Sequence, residues 1–161
     1  MIEELFSKPV VVLGCGNTLF GDDGFGPEVI ARLQAEHALP ETVLAEDVGT
    51  GARDLLFDLL LSPKKPKRLI IVDATDRPEL EPGELAELPV ENIGRNKTND
   101  FSVHQFPSLN LLAELGTVLE VSLLVVRVGN LPCQVSPGLS PAVAAAVPRA
   151  CAWIMEQVGG A

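Results

Sequence analysis

Asp23, Asp73 and His104 are the side chains of this sequence best suited to chemistry: two carboxylates and an imidazole, separated by 50 and 31 residues. Such a set, with no thiolate in it, can hold a divalent cation and leave coordination positions open to water or a substrate. Either carboxylate can instead act as a general base on a water molecule. The spacing specifies neither outcome by itself, and each residue also has a plain structural reading. Asp22 and Asp23 lie just ahead of an expected helix start, where an acid stabilises the positive end by roughly 0.3–1 kcal/mol. Asp73 closes an apolar run, where a carboxylate is costly to desolvate unless paired, hydrogen-bonded or bound to a cation. Capping a turn near Thr75 would satisfy it. His104 sits in a polar loop, and His37, the other histidine, reads as a surface residue behind the first helix.

Other chemistries are disfavoured by residue type. The stretch GCGNTLFGDDGFGPEV, Gly14 to Val29, has the glycines of a phosphate cradle but two acids at its centre. The dinucleotide fingerprint G-x-G-x-x-G fails at Leu19, and the Gly-Lys-Ser/Thr of a P-loop is missing. Cys15 has no base near it in sequence and reads as a small packed residue, while Cys133 and Cys151 read as packing or chance. An odd number of cysteines with no C-x-x-C pair points away from a disulfide framework or thiolate zinc site, and towards a reducing, cytoplasmic setting. A net charge of −10 disfavours nucleic acid and anionic membrane surfaces. No signal peptide or bilayer-spanning run is expected.

The elements that must position these residues follow from hydrophobic pattern. Pro9 to Leu13 reads as a buried strand, and a helix starting near Pro27 would bury Val29, Ile30 and Leu33. Thr42 to Ala45 reads as a second strand leading into the glycine-rich loop Asp47–Ala52, with a buried helix over Arg53 to Leu61. LIIVDATD is a strand ending on Asp73; Glu84 to Leu88 is a short edge strand, and Val121 to Val128 another buried one. A helix is expected from Pro107 to Leu115 after a long polar loop containing His104. The last helix should begin with Ser140 as cap and Pro141 behind it, bury Val143, Val147, Cys151 and Ile154, and kink at Pro148. Alternating strands and helices predict an α/β three-layer sandwich: a mostly parallel twisted sheet with helices on both faces, in one domain over residues 1–161. Ligands of such sheets bind beyond the carboxyl ends of the strands, which places Asp22, Asp23, the Asp47–Gly51 loop and Asp73 along one crevice.

Taken in order, these motifs resemble the hydrogenase maturation endopeptidases. The resemblance runs over nearly the whole chain: VVLGCGNTLFGDDGFGPEV, DVGTGA, LIIVDATDRPELEPGEL, SVHQFPSLNLL and GLSPAVAAAV. It implies removal of a C-terminal extension from the large-subunit precursor of a nickel–iron hydrogenase after nickel insertion. Carried over residue by residue, it makes Asp23, Asp73 and His104 metal ligands and leaves Asp22 as the helix-start acid. Asp47, Gly49, Thr50 and Gly51 become substrate-binding residues. The nickel would arrive with the substrate; other divalent metals could occupy the site, and no organic cofactor is implied. Asp23 and Asp73 are the candidate catalytic acids, assisting a water nucleophile, in a monomer. GDDGFGPEV and DVGTGA look most like the maturases of deazaflavin-coenzyme-reducing hydrogenases, and VDATD with EPGEL also resembles the formate-hydrogenlyase branch.

Two alternatives stand beside this reading. A metal-dependent hydrolase of small molecules would use the same triad. A phosphoacceptor receiver domain also gathers acids after its first and third strands, but it needs a lysine after the last central strand, where this chain has VRVGNLP.

Overall fold

The computed structural model describes residues 2–90, 109–129 and 131–159. At its centre lies β1 (Val10–Cys15), a β-branched run buried at every position. On either side run β2 (Val43–Gly49) and β3 (Arg68–Thr75), both parallel to it. Next to β3 is β5 (Glu120–Arg127), also parallel, and β4 (Leu85–Leu88) closes that edge antiparallel to β5. The order is therefore β2-β1-β3-β5-β4.

The helices are α1 (Ile2–Ser7), α2 (Phe25–Glu36), α3 (Ala52–Leu61), α4 (Leu109–Leu115) and α5 (Pro141–Val158). Because strand side chains alternate between faces, Val10, Val12, Ile70, Val72, Leu124 and Val126 form one core with α2 and α5. Val11, Leu13, Leu69, Ile71, Leu123 and Val125 form the other with α1, α3 and α4. The expected three layers are present, and burial on both faces explains why the strands read as unbroken apolar runs.

Several boundaries differ from the sequence reading. Strand β2 continues beyond Ala45 because its pairing with β1 carries on through Glu46 and Asp47. Strand β3 runs past Asp73 to Thr75, held there by β5 through Thr75 opposite Arg127. Helix α3 is buried along a stripe of Ala52, Leu56 and Leu59, while Phe57 and Leu61 are 48% and 72% exposed. The short α1, which lacks a sequence signature, buries Leu5 and Phe6 against the second core. The stripe expected on α5 is buried as read, and the helix runs through Pro148. The polar loop with His104, and the expected helix start at Pro107, lie outside the described residues.

One close approach sets the position of α2. A Cβ added to Gly26 would lie 2.3 Å from the Cys15 carbonyl oxygen and 2.6 Å from that of Val72. Only glycine lets the first turn of α2 press onto the ends of β1 and β3.

Candidate active site

The carboxyl ends of β1, β2 and β3 converge where the fold class places ligands. After Cys15 the chain passes through Gly16, whose φ of +138° is open to glycine and strained for any other residue. It then reaches a single 3-10 turn, Gly21–Gly24, that carries Asp22 and Asp23 into the start of α2. Asp23 is only 4% exposed. The Asn17 N–H donates to both Asp23 Oδ2 and the Asp23 carbonyl oxygen, each at 3.1 Å.

Asp73 is fully buried, and its Oδ1 accepts the Ala74 N–H at 2.8 Å. By strand alternation it projects to the same face as Leu69 and Ile71. The loop after β2 is tied to the first loop by the Gly16 N–H, which donates to the Gly49 carbonyl at 2.9 Å. Asp47 Oδ1 accepts the Gly49 N–H at 2.8 Å, which shapes the turn. Of the residues expected to meet a substrate, Asp47, Thr50 and Gly51 are exposed and Gly49 is half-buried. A groove of about 390 Å³ opens beside them, lined by Asp47, Val48, Gly51, Asp54, Leu55 and Asp58 among others.

The thiol of Cys15 reports the field at this point. Burial pushes its pKa well above the usual thiol range, and the negative charges of Asp73, Asp47 and Asp23 raise it further. Three carboxylates from three separate segments thus act on one buried atom. A thiol held protonated in such surroundings is no nucleophile, so the reading of Cys15 as a packed residue stands, and Cys15 is buried in the core. A convergence of acids is unfavourable for anions and favourable for a cation.

Asp22 has partners of its own. The Asp22 carboxylate accepts hydrogen bonds from Gly129 and Ser140. It is therefore more than an acid at a helix start, and Ser140 gives its hydroxyl to Asp22 rather than capping α5 with it. No sequence signal announces this pairing, because the partners are 107 and 118 residues away. His104 lies outside the described residues, and among the described residues no group of three His, Cys, Asp or Glu could hold a metal ion. The receiver alternative lacks its cation: Arg127 closes β5, and its guanidinium donates to the carbonyls of Arg77 and Val128.

Comparison with known proteins shows the family and the fold. The profile of the hydrogenase maturation protease family HycI matches residues 27–157. The coenzyme F420 hydrogenase subunit delta of Methanothermobacter thermautotrophicus is 34% identical over 162 aligned positions, covering 96% of this chain and 97% of that protein. The hydrogenase 2 maturation protease of Escherichia coli is 32% identical, over 92% of this chain and 87% of its own. Among solved structures, the hydrogenase maturating endopeptidase HybD of Escherichia coli superposes with a TM-score of 0.75 at 28% identity, covering 94% of this chain and 92% of that one. Profile, relatives and fold agree over almost the full length, and the chain belongs to the hydrogenase maturation protease family.

Proposed function

We propose that this protein removes the C-terminal extension of a nickel–iron hydrogenase large-subunit precursor after nickel insertion, and that the nickel carried by the precursor is its recognition anchor. The observation that carries the proposal is the convergence of Asp23, Asp47 and Asp73 around the buried Cys15 thiol, which makes the strand ends negative and favourable for a cation. Asp23 and Asp73 would face the incoming metal together with His104, and other divalent ions could take its place there. Asp47, Gly49, Thr50 and Gly51 would receive the tail of the precursor beside the site.

In this reading a precursor without nickel lacks the anchor and is left uncut, because selection rests on the difference in binding between the two forms. Holding the scissile peptide against the acids supplies positioning. Asp23 or Asp73 then takes the proton of an attacking water. The protein acts as a cytoplasmic monomer and uses no organic cofactor. No helix among the described residues is long and apolar enough to cross a membrane. The name of the Methanothermobacter relative, a coenzyme F420 hydrogenase subunit, suggests a deazaflavin-linked hydrogenase as the source of the precursor.

The test is mass spectrometry of nickel-loaded and nickel-free precursor after incubation with the protein. Shortening of the loaded form alone, at its C-terminus, is expected. Shortening of both forms would remove the nickel anchor. Cleavage of small amides or esters with no precursor shortened would favour a small-molecule hydrolase.

A further inference from the structure

We infer that Asp22 is a positioning residue whose ties to the segment between β5 and α5 set the direction of Asp23. The functional side of this inference rests on the reading of Asp23 as a nickel-facing carboxylate; its structural side does not. Asp22 is fully buried. Its Oδ2 accepts the Gly129 N–H at 2.7 Å and the Ser140 hydroxyl at 2.8 Å, and its Oδ1 accepts the Ser140 N–H at 2.7 Å. Hydrogen bonds to a buried carboxylate are short and strong. Gly129 leaves room for them: a Cβ there would lie 3.0 Å from Ser140 Oγ and 3.6 Å from Asp22 Oδ2.

The turn that carries both acids is held from outside as well. Phe20 forms a β-bridge with Ser136, the Gly21 N–H donates to the Ser136 carbonyl at 2.9 Å, and the Ser136 N–H donates to the Leu19 carbonyl at 2.8 Å. A 3-10 turn has about three residues per turn, so neighbouring side chains diverge by roughly 120°. With Asp22 fastened to Gly129 and Ser140, Asp23 is turned away from them, towards Asn17. An acid that only stabilised a helix end would need none of these partners. Asparagine at position 22 cannot reproduce them, because one backbone N–H would face an amide N–H instead of an oxygen.

The experiment compares amide hydrogen exchange in wild type and Asp22→Asn, using the full chain. Exchange at Asn17, whose N–H is held by Asp23, is expected to quicken about tenfold along with Gly129 and Ser140. Ser140→Ala, which removes only the hydroxyl, should give a smaller acceleration at the same three amides and covers the case in which Asp22→Asn fails to fold. In cleavage assays the KM for nickel-loaded precursor should rise about tenfold in Asp22→Asn. Ile154→Val, a core change far along α5, should lower the melting temperature and leave KM alone. Wild-type exchange at Asn17 in a variant whose Gly129 and Ser140 amides have lost protection would overturn the inference, since Asp22 would then be a local cap. Faster exchange at Asn17 supports it even where wild type leaves every precursor uncut, a result that overturns only the proposed function.

Discussion

The Gly16 N–H donates to the Gly49 carbonyl at 2.9 Å, joining the loop that carries Asp23 to the loop that begins at Asp47. Both glycines have positive φ, +138° and +55°, but their surroundings differ. A Cβ on Gly16 would lie 2.0 Å from the Asp23 carbonyl oxygen, whereas one on Gly49 would meet nothing nearer than the Gly16 oxygen at 4.0 Å. Gly49→Ala should therefore cost only the left-handed backbone penalty of roughly 1–2 kcal/mol. Gly16→Ala should cost more, displace Asp23, and abolish precursor cleavage in whatever fraction still folds. Thermal unfolding of the two variants, with cleavage measured on the folded material, checks the contrast.

Gly26→Ala is expected to destabilise by about 1–3 kcal/mol as an overpacking change. The three atoms nearest the new Cβ are all backbone, the Cys15 and Val72 carbonyl oxygens and the Cys15 nitrogen, and backbone cannot swing aside as a flexible side chain can. At a few degrees per kcal/mol for a chain of this size, the melting temperature should fall by roughly 2–12 °C. A wild-type melting curve would contradict the packing of α2 described above.

Cys15 makes stability depend on alkaline pH. Its folded pKa is raised by burial and by Asp73, Asp47 and Asp23, so its contribution is fully present below the unfolded thiol value of roughly 8.5. Above that pH the unfolded chain releases the proton while the folded chain keeps it. Stability should then fall by up to about 1.4 kcal/mol per pH unit from this residue until the folded pKa is passed. Denaturant titrations between pH 8 and 10 should show a shallower fall in Cys15→Ala. At neutral pH, alkylating reagents should label the exposed Cys133 and spare the buried Cys15 and Cys151.

Much of this was legible in the sequence because it depends on local pattern. The run LIIVDATD can be satisfied only as a buried strand, and a carboxylate at its end is conspicuous there. The spacing of Val143, Val147, Cys151 and Ile154 likewise marks the buried stripe of α5. What the sequence hid is long-range. The tie from Asp22 to Gly129 and Ser140 crosses more than a hundred residues, and residues so far apart leave no periodicity to read. Ser140 looks like a cap from sequence because serine before Pro141 usually is one; here a buried carboxylate competes for its hydroxyl. Strand β2 outran its apolar stretch because pairing with β1, rather than side-chain pattern, decides where it stops. His104 was singled out by residue type alone, and its place in the site rests on the family resemblance.

The most direct measurement is the initial rate at which nickel-loaded precursor is shortened by Asp73→Asn compared with wild type. The substitution keeps the size of a fully buried side chain and removes its charge. A catalytic role for Asp73 predicts a loss of about 100-fold or more, the scale of a missing general base or charge partner, with the circular dichroism of the native fold retained. A folded Asp73→Asn that trims the loaded precursor at the wild-type rate would contradict it.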